Sequence, residues 1–366
     1  MKKKMLVIIM PAIEGGGVEK NLFIISNYLA KNIKNVYLIN ASRKFNKKFK
    51  KIKIINPVLK FWDNLGRKGK YFICLFYLIK MILQKKNIAV LCFQANLYCT
   101  LVCKFFGIKI ITRSNSSPTG WSKNIIKTFL FKKILKLSDL IIVNSIEFKK
   151  ELKKKFNVNS TCIYNPLNKN EIIKLSKKRI NISFYKKNYL NIINVGRYAD
   201  QKDQITLLKA LNFCKSKIKF KLLCIGRGDQ KQNLLNYIKE NSLTKSVKLL
   251  NFSDNPYKFI RKSDLFILTS KFEGLPNVLL ESIALKKFII SSNCPTGPKE
   301  ILNNGKGGIL FQTGNYRDLS RKIYFYIRNK KKLNHKISFA YKNLDRFDYN
   351  TNLKKYLSLI NDKLIF

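Results

Sequence analysis

The stretch DLFILTSKFEGLPNVLLESIALKKFIISS, residues 264–292, contains a short apolar run, a Gly-Leu-Pro loop, a helix-length segment and a second apolar run. Short apolar runs joined by helix-length amphipathic segments are typical of parallel strands connected by crossover helices. The same alternation continues in both directions along the chain. The sequence therefore predicts an α/β protein built on parallel sheets.

The predicted strands form two groups of six. The first group is MLVIIM, VYLIN, KIKII, IAVLCF, KIITRS and LIIVNS, and the second is NIINVGR, FKLLCIG, VKLLNF, LFILTS, KFIISS and GGILF. We predict a first domain over residues 1–168, a linker over 169–188, a second domain over 189–345, and a helical segment over 346–366 that is long enough to return to the first domain. Two doubly wound domains of this kind would face a central cleft, where the carboxyl ends of the strands bind ligands.

The charge balance of the 366 residues is extreme, because 73 Lys and Arg against 20 Asp and Glu give 73 − 20 = +53. Such a field attracts polyanions, which include nucleic acid, anionic membranes and diphosphate substrates. A lysine-rich composition with solvated side chains would give the same excess. Charge alone leaves these possibilities open.

Cysteine and histidine usage excludes several classes of site. The eight cysteines form no C-x-x-C pair and lie mostly in apolar runs, which predicts buried thiols in a reducing compartment. The single histidine, His335, lies in a lysine-rich run, so a histidine zinc site or a Ser-His-Asp triad is not expected. The apolar run before Pro11 is too short for a signal peptide and predicts a strand. The longest later run, residues 71–83, is too short to span a bilayer.

Two carboxylates, Glu273 and Glu281, lie on either side of the Gly-Leu-Pro turn. The helix is predicted to begin near Pro276, which leaves the amides of residues Asn277, Val278 and Leu279 free to bind an anion. Glu273 would lie at the mouth of the loop and Glu281 about one turn into the helix, so that both could bind hydroxyls of one phosphate-bearing ligand. The alternative is that Glu281 is an ordinary exposed helix residue.

Three other loops follow predicted strands. Arg197 and Lys202 lie five residues apart after NVG, and two fixed cations at the end of a strand suit a diphosphate. Gly226, in CIGRGDQ, is placed either to contact a nucleotide or simply to make a turn. Gly16 and Gly17 precede a helix and could bind an anion or form a tight turn, although the loop is not a G-x-G-x-x-G fingerprint.

The segments VGRYADQKD, IGRGDQ, FEGLPNVLLESIAL and CPTGPKEIL, with GGGVEK near the amino end, resemble the retaining GT-B glycosyltransferases of family 4. The resemblance covers nearly the whole chain and implies two Rossmann-like domains, the second of which binds a nucleotide-sugar donor. It implies that Arg197 and Lys202 hold the diphosphate, that Glu281 binds the ribose and that Glu273 binds the transferred sugar. Gly226 and the backbone of residues 277–279 would complete the donor site.

The first domain departs from the family pattern. Many members carry a histidine after the strand that matches KIITRS, whereas this chain has TRSNSSP. Arg113, Ser114 or Asn115 would have to replace it. With Gly16 and Gly17, Arg113 and Asn115 are therefore the predicted residues of the acceptor side.

The implied reaction is sugar transfer with retention of configuration, in which the leaving phosphate helps to deprotonate the acceptor hydroxyl. No cofactor or metal is expected, since such enzymes generally need none and the chain has no Asp-x-Asp motif. The CPTGPKEIL segment is similar to bacterial enzymes that add N-acetylgalactosamine-type sugars to polyprenyl-diphosphate-linked glycans. The expected donor is a UDP sugar, and the expected location is the cytoplasmic face of the plasma membrane. The alternatives are a nucleic-acid-binding protein, for which no binding module is found, and a nucleotide-sugar epimerase.

Two segments of the first domain suit an anionic membrane surface. In WSKNIIKTFLFKKILKLSD an apolar stripe at helical spacing, Ile126, Phe129, Leu130, Ile134 and Leu137, alternates with lysines, and Trp121 lies at its start. The alternative is that this apolar face packs on the sheet, as in any crossover helix. Residues 61–83 are the second candidate surface.

Overall fold

The computed structural model describes residues 5–85, 87–115, 118, 121 and 124–364, except for the side chain of Ile125. The chain divides into two compact units. The first comprises Met1–Pro166 together with Tyr349–Phe366, and the second comprises Leu167–Asp348. The carboxyl-terminal helix therefore belongs to the first unit.

The first unit contains a parallel sheet whose described strands lie in the order β3-β2-β1-β4-β5-β6-β7. The strands are β1 Met5–Ile9, β2 Val36–Ile39, β3 Lys53–Ile55, β4 Ile88–Cys92, β5 Lys109–Arg113, β6 Leu140–Val143 and β7 Thr161–Cys162. The helices are α1 Gly17–Asn32, α2 Arg67–Gln84, α3 Asn96–Phe105, α4 Ile125–Leu137, α5 Ile146–Phe156 and, from the end of the chain, α13 Tyr349–Leu364. A 3₁₀ helix spans Lys60–Asn64.

The second unit contains a parallel sheet in the order β10-β9-β8-β11-β12-β13. Its strands are β8 Leu190–Val195, β9 Phe220–Ile225, β10 Val247–Leu250, β11 Leu265–Leu268, β12 Phe288–Ser292 and β13 Ile309–Phe311. Its helices are α6 Lys169–Ser176, α7 Gln204–Cys214, α8 Lys231–Glu240, α9 Tyr257–Lys262, α10 Asn277–Ala284, α11 Pro298–Ile301 and α12 Tyr316–Lys342.

The apolar runs form strands because both faces of each sheet are covered, so nearly every residue of a central strand is buried. In the first unit, Leu6 and Ile8 of β1 lie in a core shared with α1 and α13, whereas Val7 and Ile9 lie in the core beneath α2 and α3. Tyr356 on α13 is part of the first of these cores. Helix α13 therefore completes one face of the first sheet.

All twelve predicted strands are present, and the structure adds β7, whose two residues are too few to give a sequence pattern. The segment 169–188, predicted as a linker, lies in the second unit, where α6 packs against α9.

Seven of the cysteines are buried, and Cys162 is half-buried. His335 is exposed. Among the described residues, no helix has the length and apolar character needed to cross a membrane.

Candidate functional site

The predicted donor-binding residues gather at one edge of the second sheet. Chain order runs outward from β8 to β10 on one side and from β11 to β13 on the other, so the direction reverses between β8 and β11. In open parallel sheets, ligands bind beyond the carboxyl ends of the strands at such a reversal. Arg197 and Lys202 follow β8, and Glu273 follows β11. Glu281 lies on α10, the helix that this second loop leads into.

The Glu273 carboxylate lies at the centre of a hydrogen-bonded cluster. The side chain is buried, with 6% of the residue exposed. Its Oε1 accepts hydrogen bonds from the Lys202 ammonium at 2.5 Å and from the Ser270 hydroxyl at 2.6 Å. Burial together with the negative charge of Glu273 raises the pKa of the nearby Cys294 thiol to about 12. The carboxylate is thus fixed in place by a cation and a hydroxyl, beside a thiol that stays neutral.

The backbone of Glu273 is held as firmly as its side chain. Its N–H donates to the Pro295 carbonyl at 3.3 Å, and its own carbonyl accepts from the Thr296 hydroxyl at 2.5 Å. Thr296 has a φ of +57°, which is rare for a β-branched residue. A Cβ on the next residue, Gly297, would lie 2.5 Å from the Gly274 carbonyl oxygen, so only glycine allows the two loops to approach this closely.

Glu281 lies in the second turn of α10 and is also 6% exposed. The interpretation of this residue as an ordinary exposed helix position is therefore wrong. The hydroxyl of Tyr257, on α9, donates to Glu281 Oε1 at 3.4 Å. A buried carboxylate needs polar or charged partners to offset its loss of hydration. Tyr257 supplies part of this requirement and links Glu281 to α9.

The amino end of α10 begins where the sequence predicted, with Pro276 as the residue before the first helical turn. One detail of that prediction is wrong. The Leu279 amide is not free to bind an anion, because it donates to the Pro276 carbonyl at 3.0 Å. A predicted contact between this amide and a phosphate would require that turn to open.

The two cations of the β8 loop differ in their surroundings. Arg197 is exposed, and its guanidinium donates to the Gln201 side chain at 3.1 Å. Gln201 in turn donates to the Phe272 carbonyl at 2.8 Å, which joins this loop to the loop that carries Glu273. Lys202 is largely buried in its ion pair. The Arg197 side chain is therefore exposed to solvent, whereas the Lys202 ammonium is held by its ion pair with Glu273.

Gly226 has a structural requirement of its own. A Cβ at this position would lie 1.9 Å from the carbonyl oxygen of Gly196, so the backbones after β8 and β9 pack in direct contact. Close packing is enough to require a glycine at position 226. The predicted contact between Gly226 and a nucleotide remains a prediction.

In the first unit, the glycine loop before α1 surrounds a carboxylate of the same chain. Gly16 is the residue before the helix and Gly17 is its first residue. Glu19, which is buried, accepts the Glu14 amide at 3.3 Å, and its other oxygen would lie 2.9 Å from a Cβ on Gly16. Since carboxylates are favoured at helix amino ends, Glu19 supplies negative charge at the position predicted for a bound anion.

Arg113 is fully buried at the end of β5. Its Nε donates to the Tyr356 hydroxyl at 2.8 Å, and one Nη donates to the Asn165 side chain at 2.7 Å. The amide of Asn115 donates to the carbonyls of Phe93 and Arg113, at 3.0 and 3.3 Å. Arg113 is thus occupied in joining the sheet to α13, and Asn115 in joining β4 to β5. Their predicted acceptor role remains a prediction.

The sequence predictions missed Ser270, Thr296, Tyr257 and Gln201, which hold the predicted residues in place. Ser270 ends the run LFILTS, and Thr296 lies in CPTGP, so both were within quoted motifs. Nothing in a single sequence shows that either hydroxyl reaches Glu273. In the described part of the chain, no group of three or more His, Cys, Asp or Glu side chains could hold a metal ion.

These two parallel-sheet, Rossmann-like domains define a GT-B glycosyltransferase fold. Residues 176–343 match the family model described as Glycosyl transferases group 1, and residues 15–171 match the Glycosyltransferase Family 4 model. The chain belongs to these glycosyltransferases and is an enzyme that uses a nucleotide sugar.

Three similar proteins illustrate the relationship. A Campylobacter jejuni N-acetylgalactosamine-N,N'-diacetylbacillosaminyl-diphospho-undecaprenol 4-alpha-N-acetylgalactosaminyltransferase is 28% identical over 256 residues, which is 67% of each chain. A second C. jejuni enzyme, an alpha-1,4-N-acetyl-D-galactosaminyltransferase acting on an undecaprenol-linked glycan, is 23% identical over 96% of this chain and 97% of its own. The Anabaena protein HepE, solved in complex with UDP and glucose, superposes with a TM-score of 0.81 at 16% identity, covering 98% of this chain and 100% of HepE.

Proposed function

We propose that this enzyme transfers a hexose, with N-acetylgalactosamine as the first candidate, from a UDP-linked donor to a lipid-linked glycan, with retention of anomeric configuration. The observation that carries the proposal is the buried carboxylate of Glu273, which is paired with Lys202 at the strand-order reversal of the second sheet. The C. jejuni relatives act on undecaprenol-linked glycans, and this supports an acceptor of the same class.

In the proposed reaction the bond between the anomeric carbon and the β-phosphate oxygen breaks, and a bond to the acceptor oxygen forms on the same face of the sugar. The acceptor proton passes to the departing phosphate oxygen. Arg197 and Lys202 neutralise the charge that develops on the diphosphate, and this replaces a metal ion. Glu273 stabilises the positive charge on the sugar, and Glu281 binds the ribose hydroxyls.

The proposed location is the cytoplasmic face of an anionic membrane, where lipid-linked acceptors are held. This proposal is supported by the charge of +53, by the acceptors of the C. jejuni enzymes, and by the exposed apolar helices of the first unit. The same charge would also attract nucleic acid, so the experiment includes short DNA and RNA among the ligands.

The experiment that tests the proposal is a thermal-shift panel of UDP, GDP, ADP and their common sugar conjugates, with short DNA and RNA included. We expect UDP compounds to raise Tm in the wild type and in Glu240→Ala, an exposed-carboxylate control, but not in Glu281→Ala. Transfer to a lipid-linked acceptor should then retain the anomeric configuration by NMR and should persist in EDTA. A response to nucleic acid alone, an inverted product, or loss of activity in EDTA would each overturn the corresponding part of the proposal.

A further inference from the structure

Helix α4 turns its most apolar stripe away from the protein. Ile126, Phe129, Leu130 and Leu137 lie on one side of the helix and are exposed, with Ile126 at 70%. The opposite side, represented by Leu135, packs into a core with α5. The alternative that this stripe packs on the sheet is therefore wrong, apart from Ile134, which is half-buried.

The neighbouring helices α2 and α3 also expose apolar stripes. On α2, Phe72, Phe76 and Leu83 recur at helical spacing and are exposed, and on α3 the same is true of Tyr98 and Phe105, the latter at 83%. Both helices use their other side to cover the same face of the first sheet. Because α2 contacts α3 and α3 contacts α4, the stripes lie side by side. We call the exposed stripes of α2, α3 and α4 the outer apolar surface.

The outer apolar surface is strongly basic. The sequences of α2, α3 and α4 contain nine Lys and Arg, four in α2, one in α3 and four in α4, and no Asp or Glu. Two of the nine, Arg67 and Lys104, are paired with Glu14 and Asp139 from outside these helices. On α4, Lys127, Lys133 and Lys136 are exposed beside the apolar stripe. Lysines of this kind extend their charged ends from a layer that receives the apolar groups. Contiguous exposed apolar patches are unusual on a protein that has no partner.

Trp121 does not belong to this surface, contrary to the prediction that placed it at the start of a membrane-binding helix. Its ring stacks on Phe156 at a centroid distance of 5.7 Å and contacts Phe131 and Phe148 edge-on. Lys123, one of the lysines in the quoted segment WSKNIIKTFLFKKILKLSD, lies outside the described residues. Trp121 instead helps to hold α4 against α5, which leaves the opposite side of α4 free.

We infer that the outer apolar surface is a docking surface for an anionic lipid bilayer, with α2, α3 and α4 lying along the headgroup region. Protein interfaces are depleted in lysine at their centres, whereas a bilayer with anionic headgroups requires both lysines and apolar groups on one face. The proposed function explains why a membrane would be the partner, and to that extent this inference rests on it. The surface lies on the first unit and uses no residue of the donor site.

The test is cosedimentation with vesicles of phosphatidylglycerol and phosphatidylethanolamine, compared with phosphatidylcholine alone. We expect binding to the anionic vesicles, reduced by high salt, and a loss of about tenfold or more in the double variant Phe129→Ser/Leu130→Ser. A loss of similar size is expected for Lys127→Glu/Lys133→Glu/Lys136→Glu. Two matched controls from the second unit, Phe213→Ser and Lys239→Glu/Lys245→Glu/Lys248→Glu, replace exposed residues and should retain most binding.

Three results would overturn the inference. They are no binding to anionic vesicles at low salt, equal loss in the lysine triple variants of the two units, and a concentration-dependent dimer that the Phe129→Ser/Leu130→Ser variant abolishes. Glu281→Ala separates this inference from the proposed function. If that variant binds vesicles normally but the wild type shows no UDP response, the surface stands and the donor proposal fails. If the wild type responds to UDP but does not bind vesicles, the donor proposal stands and the inferred docking surface fails.

Discussion

The Nζ atom of Lys202 lies 2.5 Å from Oε1 of Glu273, and both side chains are largely buried. The lysine proposed to neutralise the leaving diphosphate is thus already paired with the carboxylate proposed to bind the sugar. In this arrangement the Glu273 carboxylate fixes the Lys202 ammonium, whose remaining N–H groups could donate to a diphosphate. Removal of either member leaves the other buried with fewer partners, which is costly.

Replacement of Lys202 tests this pairing. We expect Lys202→Ala to lower kcat about 100-fold, which is the size expected when a group that stabilises developing negative charge is lost. The free energy of unfolding should also fall by about 1–3 kcal/mol, because Ser270 is then the one side-chain donor left to Glu273 among the described residues. Lys209→Ala, which removes an exposed lysine from α7, is the control for both measurements. Unchanged turnover in Lys202→Ala would contradict the role given to the pair.

Ser270 and Thr296 are predicted to be positioning residues for Glu273. The Thr296 hydroxyl should be required, so Thr296→Val should lower kcat roughly 10-fold with little change in the donor KM, and Thr296→Ser should restore most of the loss. Ser270→Ala, which removes one of the two side-chain donors to Oε1, should behave like Thr296→Val. The measurement is steady-state kinetics of the wild type, Thr296→Val, Thr296→Ser and Ser270→Ala. A merely structural role would lower Tm equally in Thr296→Val and Thr296→Ser without separating their kcat values.

The close packing at Gly226 gives a stability prediction. Gly226→Ala would place a Cβ 1.9 Å from the Gly196 carbonyl, so the two loops must separate, and we expect a loss of about 3 kcal/mol or more. Gly196→Ala is the matched control, because its Cβ would meet only the Lys202 and Gln204 side chains, at 3.6 Å or more. Urea unfolding of both variants measures the difference. Equal stability of the two would show that the loops are not rigid.

The sequence was enough to predict the sheets, because a strand buried on both faces leaves an unbroken apolar run that one chain displays without alignment. It also singled out Glu273 and Glu281 as candidates, because both lie at a strand–loop–helix junction, and the roles given to them stay predictions. Periodicity showed that α4 is amphipathic but not which side faces the protein, because an apolar stripe looks the same whether it meets a sheet or solvent. Tertiary contacts decided that question.

Long-range pairs were beyond the reach of the sequence. Arg113 is the last residue of a strand that was predicted correctly, yet its hydrogen-bond partner Tyr356 is 243 residues away on a helix that covers the sheet. A residue at the end of a strand is normally a candidate for ligand binding. Here a distant helix buries it, and no local pattern records that helix's position. The contacts of Ser270 and Thr296 with Glu273 were hidden for a similar reason, since they depend on the loops' conformations.

The Arg113–Tyr356 pair should stabilise the first unit. Tyr356→Phe removes the acceptor for a buried guanidinium N–H and should cost about 1–3 kcal/mol in the free energy of unfolding. In a double-mutant cycle with Arg113→Met, the two losses should not add, because each variant breaks the same contact. Tyr77→Phe, a half-buried tyrosine on α2 of the same unit, serves as the control. Additive losses would show that the two side chains stabilise the unit independently.

The buried thiols predict a loss of stability at alkaline pH. Burial raises the pKa of Cys224 from 9.0 to about 12, and the Cys74 thiol is raised to the same value. Since the folded-state pKa lies above the unfolded value, each thiol contributes stability that is fully present below pH 9 and is lost as pH rises toward 12. Over that window each such thiol lowers the free energy of unfolding by about 1.4 kcal/mol per pH unit.

Cys224→Ala tests this prediction. Between pH 9.5 and 11 the variant's free energy of unfolding should fall with pH less steeply than that of the wild type, by about 1.4 kcal/mol per pH unit. Between pH 7 and 8.5 the difference in free energy of unfolding between the variant and the wild type should stay constant. Urea titrations at each pH measure both quantities. Identical slopes in the two proteins would mean that Cys224 ionises as readily in the folded state as in the unfolded chain.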